Sequence, residues 1–284
     1  LLIAKFNPSL AYGVVGEYMY STEVRFKGLF PGAGSMAASA GLLVGFVMLR
    51  GGSWWWRVPV LLLAIICLYL TQSRTFWVAL IAGLILTWWI YFPHKRGLPI
   101  LTVVLAIPIC ITVFLAFNVS LETKAMEKAA RVESISNLSG RMDLWKVGFE
   151  SAQNRPLVGY GLTMGALALH DDSGKHVSIN SSRKADDRSV GRTTLHNGYM
   201  QSLLDIGILG TFFYLAVFFV SLKRLIKQGV SREYAPVFFG ITFLAISNLG
   251  ENVIYGASVY NAILFWCLST FSLQIKKYKK LPDS

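Results

Sequence analysis

Charged residues are scarce in this sequence of 284 residues: Asp, Glu, Lys and Arg make up 15% of it, whereas hydrophobic residues make up 54%. Soluble domains carry about 25% charged residues, so this balance, together with a positive mean hydropathy, excludes an ordinary soluble domain. Cysteine is also rare. The three cysteines lie within apolar runs, lack the spacing of a metal site or a redox pair, and are interpreted as small core residues: Cys67, Cys110 and Cys267.

Motifs of cofactor chemistry are missing as well. The sequence has no glycine-rich loop of the nucleotide-binding type, and no His/Cys cluster has the spacing of metal ligands. The acidic pairs Asp171-Asp172 and Asp186-Asp187 fall in its most polar, disordered-looking stretch. We therefore expect neither a metal nor a cofactor. No signal-peptide pattern follows Leu1, and we expect the chain to be the C-terminal part of a longer one.

The formal net charge of +12 bears on the partners of the protein. A basic chain can bind nucleic acid, but in a membrane protein an excess of Lys and Arg is first expected in cytoplasmic loops and at lipid headgroups. We therefore expect membrane lipids, and no nucleic acid, as partners.

What the sequence does contain is a series of long apolar runs. They predict an all-α, polytopic membrane protein with about seven transmembrane helices. The predicted spans are residues 33–49, 54–70, 75–92, 98–117, 200–222, 235–247 and 253–273. The chain then divides into a loop at 1–32, helices 1–4 within 33–117, a large loop with amphipathic helices at 118–198, helices 5–7 within 199–274, and a basic tail at 275–284.

Basic residues give this arrangement an orientation. Four basic clusters fall on one side of the predicted membrane, around Arg57, Lys95, Arg224 and Lys277, whereas the short connections on the opposite side hold only Arg74. Because cytoplasmic loops are enriched in Lys and Arg, the tail is predicted to be cytoplasmic and the large loop to lie on the outer face.

Two arginines on the outer face are candidate site residues. Arg74 ends a short connection on the outer face, where the orientation rule disfavours basic residues. A charge at such a membrane boundary is interpreted as functional by default. The alternative is a surface arginine whose side chain extends to the lipid headgroups. Arg141 lies in the first turn of a predicted amphipathic helix, where a cation is disfavoured unless it serves a bound anion; the alternative is a local ion pair with Asp143. That helix is predicted from apolar residues at three-to-four spacing: Leu138, Met142, Trp145, Phe149 and Ala152.

His196 is the third candidate. It stands at the N-terminal edge of the fifth span, where the helix dipole and a nearby arginine favour the neutral imidazole that a general base requires. The alternative is a capping or interfacial role beside Asn197. Two arginines and one histidine on the outer face suggest an anionic, lipid-linked donor, with Arg side chains on its phosphates and the histidine deprotonating an acceptor hydroxyl.

Three groups of residues carry a family resemblance. They are Thr71-Gln72-Ser73-Arg74 at the end of a span, Ser139-Gly140-Arg141 with Leu144-Trp145 and then Pro156-Leu157-Val158-Gly159-Tyr160-Gly161, and His196-Asn197 followed by Gly207 and Gly210. In this order they resemble the O-antigen ligase and O-antigen polymerase superfamily of bacterial envelope glycosyltransferases. Members carry further N-terminal spans, and the segment after Arg25 often reads Pro-Asn where this chain has Pro31-Gly32.

The resemblance implies a GT-C-like glycosyltransferase of the bacterial inner membrane, with its large loop in the periplasm. It implies metal-independent, inverting transfer of an oligosaccharide from undecaprenyl pyrophosphate to lipid A-core or another glycan. By that likeness Arg74 and Arg141 would contact the pyrophosphate and His196 would activate the acceptor. Weaker candidates for substrate contact are Arg25, Trp145, Asn197, Tyr199 and Glu251.

The acceptor is not specified by these motifs. A ligase is favoured by the pattern His196-Asn197-Gly198-Tyr199 and the moderate loop, while a polysaccharide polymerase or a protein O-oligosaccharyltransferase of the same superfamily is the alternative. A transporter of lipid-linked sugars is a more distant alternative, because the sequence shows no internal repeat.

Overall fold

The structure is a computed structural model that describes residues 12–18, 21–30, 32–50, 52–92, 141–162, 164–165, 195–227, 232–254 and 259–274. Within these ranges a β-hairpin precedes a set of helices. The elements are β1 (Tyr12–Tyr18), β2 (Ser21–Phe26), α1 (Ala33–Leu49), α2 (Trp54–Leu70), α3 (Arg74–Tyr91), α4 (Arg141–Asn154), α5 (Gly198–Lys227), a 3-10 turn (Arg232–Tyr234), α6 (Ala235–Ser247) and α7 (Val259–Gln274).

The predicted helical architecture is confirmed for the described part of the chain. The bounds of α1, α2 and α6 coincide with predicted spans, and α3, α5 and α7 overlap three more. By length and composition, α3 and α5 can each cross a bilayer, and α1, α2 and α6 are apolar but shorter. The count of seven spans stays a prediction, since the span at 98–117 lies outside the described residues, as do most of the large loop and the tail at 275–284.

The hairpin is an addition to the prediction, which had only a loop at 1–32. Its strands are antiparallel, with Tyr12 opposite Phe26 and Val14 opposite Val24, and the register shifts between Val15 and Tyr18. β-branched and aromatic residues favour strands, and their density here is the signal that the turn-forming residues of this segment obscured. Six residues separate the end of β2 from the start of α1.

The core is centred on α6, most of whose residues are buried. Phe239 and Phe243 are fully buried and stack on one another with ring centroids 5.5 Å apart. Two glycines, Gly45 on α1 and Gly83 on α3, face Phe239, and a methyl group on either would press against its ring. Small residues thus let α1 and α3 approach α6 closely, as is common where helices pack within a membrane.

Arg57, at the start of α2, caps the C-terminal end of α1. Its Nε and a terminal guanidinium nitrogen donate to the Val47 carbonyl at 3.1 and 2.9 Å. A cation at a helix C-terminus stabilises the exposed carbonyls there. Because α1 and α2 are antiparallel neighbours, the opposite end of this pair holds the N-terminus of α1 and the connection from α2 to α3, which begins at Arg74.

Replacing Phe239 with Ala tests this core. The substitution removes the ring that fills the space between Gly45 and Gly83, and the lost packing should destabilise the fold by roughly 2 kcal/mol or more. The measurement is the Tm of the purified protein in detergent. The control is Phe213→Ala on α5, whose side chain is 67% exposed and should change Tm little. Equal shifts for both variants would contradict the packing described here.

Candidate active site

His196 lies on a tight turn immediately before α5. Its backbone has φ 49°, a left-handed conformation that a residue with a side chain seldom adopts. The side chain is partly exposed, at 32%. Strained backbone of this kind persists only where its surroundings enforce it, and it concentrates at functional sites.

Hydrogen bonds hold the chain on both sides of His196. The Leu195 N–H donates to Gln201 Oε1 at 3.1 Å, and Trp145 Nε1 donates to the Leu195 carbonyl at 2.7 Å. Asn197 Oδ1 accepts from the N–H groups of the second and third helical residues of α5, at 3.0 and 3.1 Å. Asn197 is therefore the N-cap. The capping role that the sequence left open for His196 belongs to its neighbour.

The α4 helix packs against the same turn. Leu195 is fully buried with Ala152 and Leu204 in a small apolar cluster to which Trp145 also contributes. Gly148 on α4 faces the Leu195 side chain so closely that a methyl group there would lie 2.7 Å from it. Of the apolar face predicted for this helix, Trp145 and Ala152 pack on the start of α5, whereas Phe149 is 51% exposed.

Asn248 joins the start of α5 to the loop after α6. Its carbonyl accepts from the Gly198 N–H at 2.9 Å, and its buried side-chain oxygen accepts from the N–H groups of Val253 and Ile254, each at 3.1 Å. A side chain at Gly198 would collide with the Asn248 amide. The loop that carries Glu251 is in this way fixed against residues 195–197, which we call the histidine turn.

Glu251 faces His196 as a result. His196 Nδ1 and Glu251 Oε2 are 3.4 Å apart, and the carboxylate side chain is 23% exposed. This is a long hydrogen bond and falls within ion-pair distance. A carboxylate at one ring nitrogen orients an imidazole and stabilises its protonated form, which is the support that a general base needs.

Arg74 begins α3 close to this pair. Gly250, the neighbour of Glu251, packs against the Thr75 side chain, and a methyl group at Gly250 would lie 2.8 Å from Thr75 Cγ2. Arg74 is exposed and is the first residue of the helix. The structure therefore brings Arg74, His196 and Glu251 to one end of the helices, although they come from three separate parts of the chain.

The other candidates are placed as follows. Arg141 is the first residue of α4, one turn before Trp145, and Arg25 lies in β2 opposite Gly13; the side chains of both arginines are outside the described part. The Tyr199 hydroxyl donates to the Ala245 carbonyl at 2.8 Å. The indole N–H of Trp145 and the hydroxyl of Tyr199 thus hold backbone of the site in place.

A break in α5 adds a second feature. Gly207 interrupts the helix with φ 66° and ψ −171°. The carbonyls of Leu204 and Asp205 accept from the N–H groups of Tyr160 and Gly161 at 3.0 and 2.8 Å. On the other side of the break, Ile208 and Leu209 donate to the Pro156 and Leu157 carbonyls, at 2.8 and 3.2 Å. The segment Pro156–Gly161 therefore pairs with the broken helix and satisfies backbone groups that the break releases.

Three residues of this arrangement were not predicted from the sequence. They are Asn248, Gln201 and Asp205. Asn248 and Asp205 make contacts distant in sequence, with Gly198 and Gly165, whereas Gln201 bonds Leu195 and Asp205 within a few residues along the chain. One signal was available: Asp205 is an ionisable residue inside an apolar run, and such residues in membrane helices are functional by default. Across the described residues, no group of three or more His, Cys, Asp and Glu side chains is arranged to hold a metal ion.

Apolar helices with a polar, histidine-containing cluster at one end are consistent with the class of helical membrane proteins. Comparison with known families places the chain more narrowly, since the family described as O-antigen ligase matches residues 59–215, more than half of its length. The chain belongs to the O-antigen ligase family, a glycosyltransferase-like family of ligases and polymerases in the bacterial inner membrane. No curated protein matches the chain. The matched stretch includes Arg74, Trp145 and His196, whereas Glu251 and Asn248 lie beyond it.

Gly207→Ala tests whether the break supports the site. A Cβ at this position would collide with the Leu157 carbonyl, and its φ of 66° with ψ of −171° lies in a region nearly restricted to glycine, unfavourable for alanine by roughly 1–3 kcal/mol. We expect a lower Tm and faster proteolysis of the 156–161 segment. The control is Ile208→Ala, whose side chain is 53% exposed. If Gly207→Ala matches the parent in both measurements, the pairing across the break does not stabilise the fold.

Proposed function

We propose that the chain transfers an oligosaccharide from undecaprenyl pyrophosphate to an acceptor hydroxyl at the periplasmic face, as an O-antigen ligase with lipid A-core as acceptor. The observation that carries this proposal is the His196–Glu251 pair, 3.4 Å apart, at the same end of the helices as Arg74. Family membership supports the class of donor and acceptor.

In the proposed step His196 is the general base. With Nδ1–H directed at Glu251, the lone pair lies on Nε2, which takes the proton of the acceptor hydroxyl. The acceptor oxygen attacks the anomeric carbon of the donor sugar and inverts it. The bond from that carbon to the pyrophosphate oxygen breaks, and undecaprenyl pyrophosphate leaves with the electron pair. Glu251 stabilises the imidazolium that forms.

Arginines hold the leaving pyrophosphate in this proposal. Charge develops on its oxygens as the glycosidic bond breaks, and preorganised cations there lower the barrier. Arg74 is exposed at the start of α3, beside the loop that carries Glu251, and is the first choice for this role. Arg141 is the second choice, because α4 contacts the histidine turn through Trp145. The guanidinium fork suits paired contacts with phosphate oxygens and needs no metal ion.

The acceptor distinguishes the related activities. The same proton transfer and the same leaving group serve a glycan polymerase, whose acceptor is a second lipid-linked glycan, and a protein O-oligosaccharyltransferase. A transporter of lipid-linked sugars would use the arginines but would need no base. Products formed from a defined donor separate these cases.

His196→Ala is the direct test of the base. The full-length protein in liposomes is given an undecaprenyl-pyrophosphate glycan and lipid A-core, and product is followed over time. We expect kcat to fall about 100-fold or more for His196→Ala, and by at least about 10-fold for Glu251→Gln, because the base is lost in the first and loses its orienting charge in the second. Donor KM should change little in both.

The matched control is His176→Ala, which removes a histidine from a polar run of the sequence. Transfer by His196→Ala near the parent rate would refute general-base catalysis by this residue. A donor glycan that lengthens without modification of lipid A-core would identify a polymerase. Donor binding with neither product would favour transport.

Arg74→Lys and Arg141→Lys test the pyrophosphate contacts. Lysine keeps the charge but loses the planar fork, so we expect donor affinity to fall about 10-fold. Donor affinity is measured as Kd for the lipid-linked glycan in detergent. Arg50→Lys is the control, since Arg50 follows α1 at the opposite end of the helices. Unchanged affinity in both site variants would show that these arginines do not bind the donor.

A further inference from the structure

Asp205 is a carboxylate buried within α5. Its residue is 1% exposed, and it lies two positions before the break at Gly207. Burying a carboxylate away from water costs several kcal/mol unless hydrogen bonds compensate, so its position calls for donors around it.

Two N–H donors meet at one oxygen of this carboxylate. Gln201 Nε2 donates to Asp205 Oδ1 at 3.1 Å, and the backbone N–H of Gly165 donates to the same oxygen at 2.7 Å. A side chain at Gly165 would collide with this oxygen, so the glycine lets the backbone come close enough to donate.

The carboxylate determines how the Gln201 amide is oriented. Because Nε2 points at Asp205, Oε1 points away from it and accepts from the Leu195 N–H at 3.1 Å. An amide turned the other way would place its NH2 group against the Leu195 N–H and its oxygen against the carboxylate, losing both bonds. Asp205 therefore determines which end of the amide faces the residue that precedes His196.

The same carboxylate contacts the segment that pairs with the broken helix. Besides the bond to Gly165, the Asp205 carbonyl accepts from the Gly161 N–H at 2.8 Å. Asp205 thus touches the 156–165 segment on one side and, through Gln201, the histidine turn on the other.

We propose that Asp205 is a positioning residue for transfer: through the Gln201 amide it fixes the Leu195 N–H, and with it the left-handed turn that aims the His196 imidazole at Glu251 and the acceptor. This inference rests on the proposed function, in which His196 is the base. A displacement of about 1 Å at a reacting group can lower a rate about 100-fold, so a loosened turn affects the chemical step.

The test uses four variants of the full-length protein in the transfer assay described above. Gln201→Leu removes both side-chain bonds at nearly constant size. Gln201→Glu places a second carboxylate against Asp205. The double variant Gln201→Glu with Asp205→Asn replaces the repulsion between two carboxylates with a donor–acceptor pair, in which the new amide donates to the new carboxylate while that carboxylate still accepts from Leu195. It gives up the bond from the Gly165 N–H, which shares its carboxylate oxygen with Gln201 in the parent. Gln153→Leu, at an exposed position on α4, is the matched control.

We expect Gln201→Leu and Gln201→Glu to lower kcat by about 10- to 100-fold with donor KM within about twofold of the parent. The double variant should recover part of the kcat lost by Gln201→Glu, because the repulsion is removed but the Gly165 bond is not restored. Gln153→Leu should behave as the parent. A merely structural role would instead lower Tm and the yield of folded protein and leave the kcat of the folded fraction unchanged.

Rescue remains informative even if Gln201→Leu fails to fold. A double variant no more active than Gln201→Glu, or a Gln201→Leu enzyme with parental kcat, would overturn the proposal. His196→Ala is assayed in parallel. If it is inactive while the Gln201 variants are unaffected, only the positioning role fails; if it transfers at the parent rate, the proposed base fails.

Discussion

The site depends on the contact between Asn248 and the first residue of α5. The Asn248 carbonyl accepts from the Gly198 N–H, and its side-chain oxygen accepts from two backbone N–H groups of the loop that follows α6. Buried amides of this kind are costly unless satisfied, and a satisfied one specifies a single arrangement. Glu251 faces His196 because this contact joins their two loops.

The break at Gly207 explains how a polar site is supported at the start of an apolar helix. A continuous helix would use its own carbonyls internally, whereas the interrupted one offers the carbonyls of Leu204 and Asp205 to the 156–161 segment. Backbone that leaves the helix is tolerated at membrane depth only where other groups satisfy it. The segment does so, and it brings Gly165 against the buried carboxylate of Asp205.

Much of the helical framework could be predicted, because runs of apolar residues with terminal turn signals reflect local constraints. The bounds of α1, α2 and α6 follow from them, and so does the position of His196 before a helix. The partners of His196 could not be predicted. Glu251 and Asn248 come from a distant loop, and no periodic pattern specifies which loops meet. The hairpin at β1 and β2 was obscured by its glycines. Capping was considered from the sequence for His196, whereas Asn197 is the N-cap.

In the proposed function Arg74, His196 and Glu251 line one site for a lipid-linked pyrophosphate. Labelling with a photoreactive polyprenyl pyrophosphate, followed by mass spectrometry of the peptides, tests it most directly. We expect labelled residues at the start of α3 and in the turns that carry His196 and Glu251, and we expect unlabelled polyprenyl pyrophosphate to compete with the label. Specific labelling confined to the opposite end, around Arg57 and the end of α5, would contradict it.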